Sequence, residues 1–222
     1  MDGIILSPIN APEIVGAIDS CTKAGIPVVT VNSDIKGSSR LSFIGQDGFK
    51  AGMVAGRLMG EFLNGEGKVA VFTSDGDNHQ SFPFGTREDG FRKVVAESFP
   101  GIEVLPGICT KEDPDIITNE TRKLCETMTD ISGIFITCGG VKEVGGVLKF
   151  YGKQGIRLIC YENYPEILEL MKEGIVTLTL DSGIHEQGRR SMEVLMDYLI
   201  YDKKPYRKHL YSDIHIMVKE SL

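Results

Sequence analysis

Arg87 is the residue of this 222-residue chain best placed to do chemistry. It falls in Arg87-Glu88-Asp89-Gly90, at the start of a helical pattern and just after a long polar loop, residues 74–84. A cation is disfavoured near a helix N-terminus, so a guanidinium there calls for a partner, and its planar fork suits bidentate recognition. The competing reading is a surface ion pair with Glu88 or Asp75. A second cluster is Asn32-Ser33-Asp34. It follows residues 27–31, an apolar, β-branched run of the kind found in strands buried on both faces. Open α/β sheets hold ligands at the carboxyl ends of their strands, which makes these three polar residues candidate contacts. An Asx turn is the structural alternative for Asn32.

Nothing in the chain points to catalysis. No nucleophile–base set stands out, and the four histidines, His79, His185, His209 and His215, lack metal-ligand spacing. There is no GxxxxGK[ST] phosphate loop, and Gly65-x-Gly67 is too short for a dinucleotide fingerprint. No enzyme activity, cofactor or metal is expected.

Composition narrows the setting. Hydrophobic residues at 41% and charged residues at 25% are ordinary for a soluble globular protein. The net charge of −7 argues against strong nucleic-acid binding by this chain itself, because the phosphate attraction needs a basic patch. No apolar run reaches the ~18 residues of a membrane helix, so no membrane partner is expected. Cys21, Cys109, Cys125, Cys138 and Cys160 are odd in number and scattered, as buried thiols of a reducing cytoplasm would be. Met1 leads straight into Asp2-Gly3-Ile4-Ile5-Leu6, without the basic start of a signal peptide.

The elements that must position these residues alternate strand and helix. Strands are expected at 2–6, 27–31, 41–44, 68–73, 102–105, 133–137, 157–161 and 175–180, with a last one in the alternating tail 210–218. Helices fill the intervals. Asn10 with Glu13 fits a capping box ahead of the first, Asp47 is suited to cap the helix from 48, and Asp113-Pro114 opens another. Gly52, Gly56 and Gly60 give the helix from 48 a small-residue face suited to lying against a sheet. Such alternation predicts parallel sheets flanked by helices, an α/β fold.

The runs PVVTVNSDI and LSFIGQDGFKAGMVAGRLM carry a resemblance. The chain resembles the type I periplasmic-binding-protein fold and, within it, the effector-binding core of LacI/GalR transcription regulators, over nearly its whole length. The resemblance implies two lobes, the first incomplete: 1–65 plus 184–203, and 66–183 plus 204–222, with crossings near 64–67, 162–184 and 202–208. It implies a small-molecule effector, a carbohydrate, bound between the lobes of a cytoplasmic homodimer, with DNA touched only through a headpiece that these residues do not include. Two further strand–helix units precede the strand matching 2–6 in that family, which would leave this strand at a sheet edge. A periplasmic solute-binding protein of a sugar ABC transporter is the alternative with the same fold.

The resemblance also implies site residues. Ser7 and Asn10 match the loop after the first strand, Asn32 a ligand-binding position with Asp34 close behind it, Phe43 an aromatic wall, and Arg87 the RxxG position that grips ligand hydroxyls or carboxylates. Cys138-Gly139-Gly140 stands where the family has Asn-Asp, Glu162 where it has Asp, and Ser182 where it often has Gln. These departures imply an unusual sugar, a polyol or another small molecule, with His79, Gln80 and Phe82 of the long loop available as replacement contacts.

Overall fold

A computed structural model describes residues 1–9, 11–74 and 84–222. The chain divides into two compact units: Met1–Asp47 with Ser182–Ile214, and residues 48–74 and 84–181 with His215–Leu222. Strand–helix alternation holds in both, as the buried β-branched runs require.

The first unit is a four-stranded parallel sheet in the order β1 (Ile4–Leu6), β2 (Val28–Val31), β3 (Ser42–Gln46), β10 (His209–Ser212). Helix α7 (Ile184–Tyr201) covers one face, with Leu195 on Val29, Ile44 and Leu210. Helix α1 (Pro12–Lys23) covers the other, with Ile18 on Val28 and Ile35. β1 lies at the sheet edge, as expected. Ala11 is the N-cap of α1, without a side-chain hydrogen bond of its own, and Pro12 sets the first turn; the capping box expected there turns on Asn10. Asn10 lies outside the described residues.

The second unit has a seven-stranded sheet. Its order is β11 (His215–Met217), β9 (Leu178–Asp181), β8 (Arg157–Tyr161), β7 (Ile131–Ile136), β4 (Glu66–Thr73), β5 (Gly101–Val104), with β6 (Ile108–Cys109) also pairing β4. Helices α4 (Pro114–Thr127), α5 (Val141–Phe150) and α6 (Pro165–Lys172) bury Ile117, Leu124, Val144, Leu148, Ile167 and Met171 against one face. The cap predicted for α4 is present: Asp113 accepts hydrogen bonds from the amides of Asp115 and Ile116. On the other face α3 (Phe84–Ser98) stacks Phe91 on Phe135 of β7, ring centroids 4.4 Å apart.

Helix α2 (Gly48–Phe62) changes the expected division. It belongs to the second unit, so the chain passes between units at 47/48 rather than near 64–67. The glycine face explains this, and it packs on a helix rather than a sheet. A Cβ on Gly52 would come within 1.9 Å of the Arg87 carbonyl oxygen, one on Gly56 within 2.7 Å of that of Phe91, and one on Gly90 of α3 within 2.0 Å of that of Phe49. Backbone meets backbone because none of the three carries a side chain. The tail also differs. Its alternating pattern forms two short strands, β10 parallel to β3 and β11 antiparallel to β9, so the later passages fall at 181/182 and 214/215. Among the described residues no helix is long and apolar enough to cross a membrane.

Candidate functional site

In the first unit the polar residues gather where β1 and β2 end. The Asn32 amide donates to Ile44 O (3.0 Å) and the Ser33 amide to Val31 O (2.7 Å). Asn32, between those two residues, sits at φ +64°. Asn is one of the few side chains that tolerates that region, so its residue type has a backbone reason beside any ligand role. The Ser33 hydroxyl donates to Pro8 O at 2.6 Å. Its one proton is thereby used, so the 3.0 Å contact with Ser7 Oγ makes Ser7 the donor. Ser7 and Asn32 remain exposed.

Two expected contacts of this unit have other work. Asp34 is buried: one carboxylate oxygen accepts from Thr30 Oγ1 at 2.8 Å and the other pairs with Arg40. Arg40 also donates through Nε to Thr30 Oγ1 (3.0 Å), and its Nη2 lies 3.1 Å from His209 Nε2. Asp34 is therefore a structural counter-ion that ties the 34–40 loop to the sheet. Phe43 is 0% exposed and packs edge-on to His209 and Tyr211, at 6.2 and 6.4 Å. It fills the core instead of lining an open wall. Ser182 is also buried, and its carbonyl accepts from Gln187 Nε2 (2.7 Å) and Ser212 Oγ (2.9 Å).

The second unit builds its strand ends around Arg87. The side chain is buried, not at the surface. Its Nη1 donates to Thr137 O at 2.8 Å, its guanidinium lies 3.6 Å from the centroid of the Tyr161 ring, and Nη2 is 3.6 Å from Glu162 Oε1. α3 thus places Arg87 on Tyr161 and, one turn later, Phe91 on Phe135, which itself lies 5.9 Å from Tyr161. The i, i+4 spacing on α3 matches residues of two neighbouring strands. Glu162 stands at φ +72°, strained for this side chain. Its amide donates to Leu180 O (3.2 Å) and its carbonyl accepts from Thr179 Oγ1 (2.6 Å).

Continued by one or two residues, the registers of β4, β7 and β8 bring Thr73, Thr137 and Tyr161 level at the strand ends, with Arg87 against the last two. All three hydroxyls, with that of Ser74, are buried, and none has a nitrogen or oxygen hydrogen-bond partner among the described residues. Buried polar groups are ordinarily satisfied, so this row marks a candidate site. Burial drives the Tyr161 pKa upward, only partly opposed by the Arg87 charge, and keeps the phenol protonated. Cys138 is buried beside the row; burial, with help from the Glu112 carboxylate, pushes its thiol up to about 12. It is a neutral wall, not a nucleophile.

Sequence reasoning missed Thr73, Thr137 and Tyr161, because strand-end hydroxyls read like ordinary strand residues. It also missed Lys111 and Glu112, two successive residues at φ +51° and +57° in the loop before α4. The Glu112 carboxylate reaches within 3.4 Å of where a Cβ on Gly139 would lie. The only signal available was the run Thr110-Lys111-Glu112-Asp113 ahead of a helix start. His79, Gln80 and Phe82 lie outside the described residues. Among the described residues no group of His, Cys, Asp and Glu could hold a metal ion.

A family model described as "Periplasmic binding protein domain" matches residues 1–204. The chain belongs to the periplasmic binding protein domain family. A sugar-binding protein of a sugar ABC transporter from Bacillus halodurans is 30% identical, with a TM-score of 0.87 over 98% of this chain and 78% of that one. An arabinose-binding protein from Geobacillus stearothermophilus is 26% identical (TM-score 0.84; 98% and 77% covered). A putative LacI transcriptional regulator from Bacteroides fragilis is 25% identical (TM-score 0.83; 99% and 76% covered). The comparison with curated proteins gave no significant match. Neither this family nor these neighbours are described as enzymes.

Proposed function

We propose that this periplasmic-binding-protein domain binds a neutral sugar and serves as the effector-sensing part of a LacI-type transcription regulator. The observation that carries the ligand class is the row of buried, partnerless hydroxyls beneath a fixed guanidinium. Each hydroxyl can donate and accept, which suits an alcohol-rich ligand. The neighbours described as sugar- and arabinose-binding support the same class. Arg87, Glu162 and Glu112 of the second unit are the residues proposed to contact it. A bound sugar shifts the protein between arrangements only by its unequal affinity for them, and in a homodimer that shift would reach the DNA-binding headpieces. Free thiols at all five cysteines agree with a cytoplasmic setting.

The solute-binding protein of a sugar ABC transporter is the second reading, favoured by the 30% match. A thermal-shift screen of arabinose, xylose, glucose and galactose, followed by calorimetric titration of hits, tests the shared core of both. A saturable rise in melting temperature with at least one sugar is expected, and none with any of them would remove the reading. Cell fractionation separates the settings: cytoplasmic protein supports the regulator, protein in the cell envelope the transporter.

A further inference from the structure

Arg87 is one half of a charge pair. Glu162 Oε1 lies 3.6 Å from its Nη2, and the two side chains are only 5% and 15% exposed, so water screens their charges poorly. The backbone that carries the carboxylate is also held in place. Its residue is fixed at φ +72° by the hydrogen bond of its amide to Leu180 O and that of its carbonyl with Thr179 Oγ1. Such a conformation persists only where the surroundings over-determine it. The guanidinium is fixed as well, by the Thr137 carbonyl and the Tyr161 ring.

We propose that Glu162 is a specificity-determining residue: by balancing Arg87 it admits neutral sugars and turns away their acidic forms. The proposal rests on the sugar-binding reading above. A ligand hydroxyl beside the pair accepts from the guanidinium and donates to the carboxylate, with no net charge to bury. A ligand carboxylate in the same place gains Arg87 but faces Glu162, and its own lost hydration stays uncompensated. Discrimination of this kind comes from the repulsive element rather than the attractive one.

The test compares matched pairs that differ in charge and little in shape, glucose with glucuronate and galactose with galacturonate, by calorimetric titration at low ionic strength. In the wild-type protein the neutral member of a pair should bind about tenfold more tightly or better, since like charges brought together are strongly disfavoured. Glu162→Gln should move that ratio toward the uronate by a similar factor. Glu162→Asp, which keeps the charge, should leave the neutral member preferred and rescues the comparison if the Gln variant does not fold. A wild-type ratio near one, or a ratio unmoved in Glu162→Gln, overturns the proposal while leaving sugar binding intact. Absence of binding by all four compounds, and by arabinose and xylose as well, overturns both.

Discussion

Each unit buries one arginine against one carboxylate, and the two pairs do different work. Arg40 and Asp34 close on each other beneath the strand ends, sharing Thr30 between them. Both Asp34 oxygens and the Arg40 Nε and Nη2 are engaged inside the unit, and the turn above offers the neutral groups of Ser7, Asn32 and Ser33. Arg87 and Glu162 sit at the strand ends themselves, over hydroxyls without partners. The frames are alike: Asn32 and Glu162 each follow a strand, each has positive φ, and each donates its amide to the next strand's carbonyl. The difference lies in where the charge is placed. A buried ion pair is weak evidence for stability or function by itself; its position relative to unsatisfied polar groups decides which it serves.

Breaking the structural pair should have the largest effect. Arg40→Leu leaves Asp34 buried without its counter-ion and should cost about 3–5 kcal/mol of stability, read by urea denaturation followed by circular dichroism. If the loss stays under about 1 kcal/mol, the range of a surface ion pair, the 34–40 loop does not depend on it and the contrast between units collapses.

Arg87→Lys should act mainly on binding. It keeps the charge but loses the fork and its flat contact with Tyr161, so sugar affinity should fall by about 1.5–3 kcal/mol, roughly ten- to a hundredfold. Because Arg87 is buried, stability should fall too, by about 0.5–1.5 kcal/mol for the hydrogen bond to Thr137 O. Titration and melting of the same preparation separate the two. A stability loss with unchanged affinity would put Arg87 in the same class as Arg40.

Tyr161→Phe should do least. The ring under Arg87 is kept, and the hydroxyl removed has no partner among the described residues, so stability should change by no more than about 0.5 kcal/mol, or rise. Sugar affinity should drop only if a ligand hydroxyl reaches the row. A marked fall in melting temperature without sugar would mean that the phenol is satisfied within the protein, and the row would then mark no site.

Much of the fold was legible because its signals are local. Buried parallel strands are continuous apolar runs, and residues 157–161 were read with the limits they have. The cap at Asp113 was legible for the same reason: its partners lie two and three residues away. The glycine run at 52, 56 and 60 announced a close approach but not to what, since a bare helix face fits a sheet or another helix equally well; α3 supplies the partner from 30 and more residues away. The tail failed for a related reason. Alternation reports that residues are extended, not which sheet they join, and here two short strands join different ones.

By its own pattern the sequence determined an α/β chain, the strand ends at which polar residues collect, and Arg87 as a cation that needed a reason to stand at a helix start. Only the tertiary structure decided what each charge is for. Asp34 and Glu162 are both acidic residues at strand ends, and nothing within a few residues of either says that one will be locked to Arg40 and the other set beside Arg87 over partnerless hydroxyls. Burial and pairing are set by contacts between segments far apart in the chain, and the energy of a charge depends on both.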